Sequence, residues 1–346
     1  MSRYALHHLL VDILGSAAAR SGLFSSGWEV FILLNPASGI LARPSALAPL
    51  LERALAALPD GPGPLPRFCR AAYSHFPGHA VFQVRKAVRR RRGRLLVISC
   101  GGDGTHNEVL HGIRQEWEHA GDDVWLLRLP LGSGNDGADV GSLEEGVRRI
   151  LSSHVVKPVP VYACTTARSA SPRWGANVVS VGIDAFVSLV VNRVKARWGG
   201  RMPGTWYSTV GDLATLFYEL VVPQRPVEVE VVSARERVVL EDLFLIMAFG
   251  SSGGRTYGNG KPILPGRENL CLIRHAPLLR RLEVKNLLYR GEHGGRPEVR
   301  LLSAERVRIR SRVRLPVQLD GEAWWLGKEE FPLLIERVAA GCYVLA

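Results

Sequence analysis

The chain has 346 residues, of which 47% are hydrophobic and 22% are charged, and its formal net charge is +12. This length exceeds what one hydrophobic core usually supports, so two domains are predicted, and nothing in the composition indicates long-range disorder. The basic excess favours anionic partners such as nucleic acid, nucleotides or an anionic membrane surface, although it also serves plain solubility. The five cysteines are widely spaced and include no Cys-x-x-Cys pair, which argues against a zinc site or a disulfide framework and favours a reducing cytoplasm.

Residues 1–27 are predicted to form an N-terminal helical extension. Apolar residues recur at helical spacing from Leu6 to Leu14 and are followed by alanines. His7, His8 and Asp12 interrupt the apolar stretch, which argues against a signal peptide. We expect an amphipathic helix that either packs on the body of the protein or lies on a membrane surface. Further along, the longest apolar runs are strand-sized, so no membrane-spanning helix is predicted.

Residues 28–155 alternate between strand and helix patterns. Such alternation predicts an α/β domain with a parallel, Rossmann-like sheet and helices on its faces. The predicted strands are Val30–Leu34, Leu95–Ser99 and Val124–Leu129, and the predicted helices are Ser45–Ala57, Val81–Arg92 and Leu143–Leu151.

Residues 156–346 change character, because most segments now alternate between apolar and polar residues. This pattern predicts a mainly antiparallel β-sandwich domain, with one helix at about Tyr207–Leu220. Its last segment is a candidate to return to the first domain. The predicted strands are Val155–Thr165, Asn177–Ile183, Val227–Val232, Val238–Phe249, Val307–Arg310 and Val317–Asp320.

The glycine-rich segment Cys100–Glu108 follows a buried strand and precedes an apolar helix face. Glycines allow the backbone to turn sharply and to approach a ligand, and the helix start beyond them offers free N–H groups to a phosphate. Thr105 and Glu108 have the spacing of a capping box. The segment matches neither a Walker A loop nor a Gly-x-Gly-x-x-Gly fingerprint, and an ordinary strand-to-helix turn is the alternative.

Two more polar loops follow predicted strands of the first half. Asn35–Gly39 follows the first strand, and Pro130–Asp136 follows Val124–Leu129. Ligands of open α/β sheets bind beyond the carboxyl ends of the strands. The three loops are therefore expected to converge on one edge of the sheet.

These motifs together resemble the diacylglycerol kinase catalytic domain family, which includes bacterial diacylglycerol and YegS-like lipid kinases and sphingosine kinases. The resemblance rests on Asn-Pro-x-Ser-Gly, Gly-Gly-Asp-Gly-Thr-x-Asn-Glu and Pro-x-Gly-Ser-x-Asn-Asp, in this order. It continues in Gly182–Ala185, in Tyr257–Gly260 with Pro265-Gly266, and in Leu319–Glu322. It covers about residues 30–322.

The resemblance implies an ATP-dependent kinase that transfers the γ-phosphate to a lipid hydroxyl, of a diacylglycerol-like or sphingoid substrate. It implies that Glu322 is the general base and that Asp103 lies near the phosphates and helps to place Mg²⁺. The second domain would bind the lipid, and the protein would work at the inner face of the membrane as a peripheral, cytoplasmic enzyme. The implied ATP-binding residues are Asn35, Pro36, Ser38, Gly39, Ser74, Gly101, Gly102, Gly104, Thr105, Asn107, Ser133 and Asn135.

The sequence departs from the family pattern at two places. Arg267–Leu270 stands where the family has Asp-Asp-Gly, so the structural metal site of some members is not predicted. Gly137–Asp139 lacks the family's aromatic residue and cation. A non-catalytic lipid or nucleotide binder and, less favoured, an NAD-kinase-like enzyme therefore stay open as alternatives.

Two basic clusters lie in the chain, Arg85–Arg94 and Arg193–Arg201. Each is either a membrane-facing surface or a solvated helix face. No aromatic platform accompanies the charge, so no nucleic-acid partner is expected. A homodimer formed through an exposed edge strand is left open.

Overall fold

The computed structural model describes residues 1–22, 27–63, 65–152, 155–198, 204–257 and 260–345. Gly258 and Asn259 of the expected turn and Arg201 of the second basic cluster lie outside the described residues. The chain divides into two compact units. The first comprises Met1–Pro160 and Ala339–Ala346, and the second comprises Val161–Val338.

A parallel sheet forms the centre of the first unit. Its strands are β1 (Glu29–Leu34), β2 (Cys69–Tyr73), β3 (Leu95–Gly101) and β4 (Val124–Pro130). They lie in the order β2-β1-β3-β4, and each neighbouring pair is parallel. Strand β2 was not predicted because Cys-Arg-Ala-Ala-Tyr contains no β-branched residue. It forms by pairing with β1, with Cys69 opposite Val30.

Helices cover this sheet, and the N-terminal helix is one of them. Leu10, Ile13 and Leu14 of this helix are completely buried, and the His7 imidazole Nε2 lies 2.9 Å from the Leu41 carbonyl oxygen. Of the two expected placements, the helix therefore packs on the body of the protein. The helices are α1 (Arg3–Arg20), α2 (Pro44–Ala56), α3 (His79–Arg90), α4 (Asp103–Gln115), α5 (Trp117–Ala120) and α6 (Leu143–Ser152).

The second unit is rich in antiparallel strands. Its elements are β5 (Val156–Thr165), β6 (Arg173–Gly175), β7 (Val178–Gly182), α7 (Ile183–Trp198), α8 (Gly204–Val221), β8 (Val227–Val232), β9 (Arg237–Asp242), β10 (Phe244–Gly250), β11 (Arg255–Tyr257), β12 (Lys261–Leu264), β13 (Leu270–Arg274), α9 (Leu278–Arg290), β14 (Val299–Leu302), β15 (Arg306–Arg310), β16 (Leu315–Leu319), β17 (Glu322–Leu326) and β18 (Leu333–Leu345). Six of these strands form an antiparallel sheet in the order β14-β13-β10-β7-β16-β17.

The prediction of one continuous strand over Val238–Phe249 is wrong. The chain breaks near Leu243 into β9, which exposes alternate residues, and β10, which is buried throughout. The segment predicted to end as a strand at Ile183 ends instead at Gly182, where α7 begins.

Strand β18 contributes to both units. Its first residues pair antiparallel with β15, with Leu333 opposite Ile309, and its last residues pair parallel with β4, with Tyr343 opposite Trp125. A mainly parallel α/β sheet followed by antiparallel sheets confirms the predicted fold class. No helix in the described part of the chain combines the length and the apolar character needed to cross a membrane.

Candidate functional site

The strand order of the first unit indicates which edge of its sheet is suited to bind a ligand. The chain goes from β1 to β2 on one side and then to β3 on the other side of β1. The connections therefore diverge between the carboxyl ends of β1 and β3, which is where open α/β sheets bind ligands. Asn35 directly follows β1, and Gly102 directly follows β3.

Asn35 joins the loop after β1 to the loop after β3. Its amide Nδ2 donates to the Thr105 hydroxyl at 3.0 Å, and its Oδ1 accepts from the Ala37 N–H at 3.1 Å. Its own N–H donates to the Cys100 carbonyl at 3.1 Å. The Asn-Pro-x-Ser-Gly segment is thus held against the start of α4 through its first residue.

Glycines let the three loops pack backbone against backbone. A Cβ on Gly132 would lie 2.1 Å from the Gly102 Cα, and a Cβ on Gly39 would lie 2.4 Å from the Gly132 carbonyl carbon. Real Cβ atoms do not approach backbone this closely, so neither position accepts a side chain without moving a neighbouring loop. The glycines were expected to allow a ligand to approach; here they first allow the loops to approach each other.

Asp103 is the first residue of α4 and binds the loop after β4. Its Oδ1 accepts from the Gly137 N–H at 2.8 Å, and its own N–H donates to the Gly134 carbonyl at 3.2 Å. No side chain among the described residues caps this helix, whose N-cap is Gly102. The first turn of α4 therefore presents its positive end beside the exposed Gly104, an arrangement suited to a phosphate group.

The loop after β4 is stabilised by its own polar residues. Asn135 Oδ1 accepts from the Gly132 N–H at 2.9 Å. Asp139, which stands where the family has a cation, forms an ion pair of 2.6 Å with Arg128 of β4, and both side chains are buried. Arg128 also donates its backbone N–H to Asp139 at 2.8 Å. Sequence reasoning missed this pair, because its partners lie 11 residues apart on a strand and a loop.

Ser74 follows β2 at the same edge of the sheet. Its side chain is buried, and its N–H donates to the Leu34 carbonyl, the last residue of β1, at 2.7 Å. This bond holds Ser74 beside the carboxyl end of β1. Asn107 lies one turn into α4 and is also buried.

The predicted capping box of Thr105 and Glu108 is wrong. Helix α4 begins at Asp103, so Thr105 is already inside it. Glu108 instead caps the neighbouring helix α3, since its carboxylate accepts from the N–H groups of Gly78 at 2.9 Å and Ala80 at 3.1 Å. The last residue of the glycine-rich motif therefore has a structural function, which no local spacing reveals.

Glu322 belongs to the second unit and begins β17. The turn before it is a two-residue hairpin, with Leu319 opposite Glu322 and positive φ angles of 47° at Asp320 and 90° at Gly321. Positive φ at both central residues is typical of a type I′ turn, which confirms the hairpin that Asp-Gly predicts. The Glu322 side chain is exposed.

The Asp320 carboxylate is fixed by hydrogen bonds inside the second unit. It accepts from the N–H groups of Ala176 at 2.7 Å, Asn177 at 3.0 Å and Val178 at 2.9 Å, and from the Tyr162 hydroxyl. Three backbone donors and one hydroxyl satisfy a carboxylate well. Asp320 therefore anchors the hairpin, while Gly321 turns the chain and Glu322 extends from it.

A second, buried hydrogen-bond network holds the same turn. Gln318 Oε1 accepts from the Gly321 N–H at 2.8 Å, and its Nε2 donates to the Ser180 hydroxyl at 2.8 Å. Ser180 in turn donates to Asp184, at the start of α7, and burial raises the pKa of that carboxyl. Asp184 is the acidic residue of the Gly-Ile-Asp-Ala segment, so two sequence motifs of the second unit meet in one network.

The structure thus joins the three predicted loops of the first unit and places Ser74 at the same edge. The joined loops carry Asn35, Pro36, Ser38, Gly39, Gly101, Gly102, Asp103, Gly104, Thr105, Ser133 and Asn135. Glu322 is presented separately, on the hairpin of the second unit.

Residues 29–157 match the family model described as the diacylglycerol kinase catalytic domain. Over these residues the chain is similar to that family. The matched residues contain the three loops and Ser74, whereas Glu322 lies beyond them.

Two relatives extend the similarity past the matched residues. A Bacillus subtilis (strain 168) protein named "Diacylglycerol kinase" is 25% identical over 272 residues, which are 75% of this chain and 81% of the relative. A Chromohalobacter salexigens protein named "Probable lipid kinase YegS-like" is 28% identical over 271 residues, 73% of this chain and 79% of the relative. Both relatives are named as kinases.

Solved structures share the fold over most of the chain. One of a diacylglycerol kinase from Bacillus anthracis str. Sterne has a TM-score of 0.55 at 15% identity and covers 92% of this chain and 96% of its own. Another from the same organism has a TM-score of 0.61 at 18% identity, with coverages of 92% and 96%. At these identities the likeness concerns the fold alone.

Proposed function

We propose that the protein is a lipid kinase, which transfers the γ-phosphate of ATP to a hydroxyl group of a diacylglycerol-like or sphingoid lipid. The observation that carries the proposal is the joining of the three motif loops at the point where the strand order of the sheet reverses. The match of residues 29–157 and the names of the two relatives support the same reaction class.

The loops suit the phosphates of ATP. The start of α4 has no side-chain cap, Gly104 and Ser133 are exposed, and the interlocked glycine backbones fix these groups before a ligand arrives. Phosphoryl transfer depends mainly on positioning and on electrostatic stabilisation, so a rigid cradle of backbone donors fits the chemistry.

The residues present fit Mg²⁺ only as a companion of the nucleotide. No group of three or more His, Cys, Asp or Glu side chains able to hold a metal occurs among the residues that the structure describes. Mg²⁺ in kinases is usually held by one or two carboxylates together with substrate phosphates, and Asp103 supplies a carboxylate at the right edge of the sheet. The ion would offset the charge of the phosphates there.

In the proposed reaction the Glu322 carboxylate accepts the proton of the lipid hydroxyl. The hydroxyl oxygen then bonds to the γ-phosphorus while the bond from that phosphorus to the ADP oxygen breaks, which yields a lipid phosphate and ADP. The hairpin and its two hydrogen-bond networks hold the backbone of Glu322 in place for this role.

Transfer of labelled γ-phosphate tests the proposal. The assay offers ATP and Mg²⁺ with diacylglycerol, monoacylglycerol, sphingosine, ceramide, undecaprenol and phosphatidylglycerol in micelles, and NAD in a parallel reaction. We expect one lipid class to be labelled. Glu322→Gln should lower kcat by about 10²–10⁴-fold, the usual contribution of a general base, with little change in the Kd for ATP.

Glu329→Gln is the matched control, because Glu329 is also exposed in the second unit but lies beyond the hairpin. Full turnover in Glu322→Gln would refute the base. Labelling of NAD instead of any lipid would replace the proposal by an NAD-kinase-like activity.

ATP binding without labelling would favour a non-catalytic binder. This alternative rests on Arg267–Leu270, which stands where the family has Asp-Asp-Gly. There, the buried Asn269 amide donates to the carbonyl of Ala304 at 2.8 Å and accepts from its N–H at 2.7 Å, so a neutral side chain ties the strands together.

A further inference from the structure

Helix α8 buries one face and exposes an apolar stripe on the opposite face. Ala214, Tyr218 and Val222 form or continue the buried face. The exposed stripe consists of residues spaced by three and four positions, which is one side of a helix. Its members are Leu213, Leu216, Phe217 and Leu220, whose exposed fractions are 49%, 54%, 53% and 80%.

The neighbouring helix α9 neutralises the acidic residues of α8. Asp212 pairs with Lys285 at 2.5 Å, and Glu219 pairs with Arg281 at 2.6 Å. These are the two acidic residues of α8, which contains no lysine or arginine. Both acidic side chains of α8 therefore have a basic partner, which reduces their repulsion of an anionic surface.

Helix α9 extends the apolar surface. Leu279 is 83% exposed and Leu282 is 40% exposed, three positions apart on the same helix. We call the exposed residues of α8 together with Leu279 and Leu282 the α8–α9 patch. Clustered exposed residues of this size mark interaction sites more often than scattered ones do.

Two exposed arginines border the α8–α9 patch. Arg225 lies four residues after the end of α8, and Arg290 lies about three helical turns beyond Leu279 and therefore on the same face of α9. Neither forms an ion pair with any residue in the described ranges. An apolar stripe with cations at its border matches an anionic bilayer, in which the headgroups attract the arginines and the acyl region accepts the leucines.

A second copy of this chain is a poorer occupant. A two-fold interface would place the α8–α9 patch of one copy on that of the other and would gather the arginines of both copies in one interface. Like charges at an interface are unfavourable, and the net charge of +12 on each chain adds repulsion.

We infer that the α8–α9 patch docks the protein on an anionic lipid bilayer. The inference deepens the proposed function and rests on it in one respect, since a lipid kinase must reach a substrate that resides in a membrane. Docking itself requires no catalysis and is measured separately from it.

Co-sedimentation with vesicles tests the inference. The full chain is mixed with vesicles of phosphatidylcholine alone or of phosphatidylcholine with phosphatidylglycerol. We expect binding to the anionic vesicles, at least about tenfold weaker binding for Phe217→Glu and for Leu279→Glu, and about fivefold weaker binding for each of Arg225→Ala and Arg290→Ala. Salt should weaken wild-type binding.

Phe82→Glu is the matched control, because Phe82 is 59% exposed on helix α3 of the first unit, close to the 53% of Phe217. It should bind vesicles like the wild type. Thermal unfolding shows whether each variant is folded. If Phe217→Glu does not fold, Leu279→Glu still tests the patch.

Three results would overturn the inference. One is that the wild-type protein does not bind anionic vesicles. Another is that the wild type, Phe217→Glu and Leu279→Glu bind these vesicles equally. The third is a lipid-free dimer in sedimentation velocity that Phe217→Glu dissociates. Vesicle binding through the patch without phosphorylation of any lipid would leave docking in place and refute only the proposed function.

Discussion

His106 occupies the middle of the glycine-rich motif but faces the interior of the first unit. It is 2% exposed, and its Nδ1 lies 2.8 Å from the Ser99 hydroxyl of β3. Burial, followed by the nearby Arg128, lowers the pKa of His106 from 6.5 to about 3. The imidazole is therefore neutral at physiological pH and serves packing under the loop rather than charge at its surface.

The lowered pKa of His106 should make the free energy of unfolding depend on pH. The unfolded chain binds a proton below about pH 6.5, whereas the folded chain binds it only near pH 3. The contribution of His106 to the free energy of unfolding is thus complete above pH 6.5 and falls as the pH drops toward 3, by at most about 1.4 kcal/mol per pH unit. Urea unfolding at several pH values should give a flatter profile for His106→Gln. Parallel profiles would contradict the assignment.

Elements in the first unit depend on each other through side chains that cap or bridge them. Glu108 of α4 caps α3, and Glu116, just after α4, accepts from Arg85 and Arg89 of α3 at 2.7 Å each. Two of the basic residues in the first cluster are therefore paired within the fold. Arg94 precedes β3, so this end of the cluster lies at the amino edge of the sheet, opposite the motif loops.

Glu108→Ala should destabilise the protein by about 1–2 kcal/mol, because two N–H groups at the start of α3 lose their acceptor. Denaturant unfolding measures the loss. Glu118→Ala, at an exposed position of α5, is the control and should change stability by less than about 0.5 kcal/mol. A stable Glu108→Ala variant with abolished turnover would show a direct catalytic role instead.

At the scale of the whole molecule, the end of the chain completes the first unit. Cys342, Val344 and Leu345 are buried, and the Gly341 carbonyl accepts from Arg114 at 3.0 Å. Helix α1 supplies core from the other end of the sequence, packed against α2 and α6. The three motif loops therefore rest on a core built from both ends of the chain.

Deletion of residues 339–346 should abolish cooperative unfolding of the first unit and weaken ATP binding by at least about tenfold, although it removes no predicted site residue. The reason is that β4 loses its pairing with the last residues of β18, and the core loses three buried side chains. Circular dichroism melts and nucleotide titration measure both effects. Ala340→Ser, at an exposed position of the same segment, should behave like the wild type.

Sequence patterns located the elements whose residues suit them locally. Strands β1, β3 and β4 are continuous apolar runs, and α2 and α6 have clear boundaries. Helix α7 was missed because its repeated valines favour strands, and packing against β7 and β16 overrides that preference. Strand β2 was missed for the opposite reason, since only its pairing with β1 makes it a strand.

The sequence by itself determined the three motif loops, the Asp-Gly hairpin and the resemblance to the family, because turns and glycine-rich loops are specified by residues close together in the chain. Only the tertiary structure decided what each motif residue contacts. Glu108 caps another helix, Asp139 neutralises Arg128, and Asp320 binds backbone far away in sequence. These partners are set by how strands and helices pack, and packing brings together residues whose separation along the chain carries no local signal.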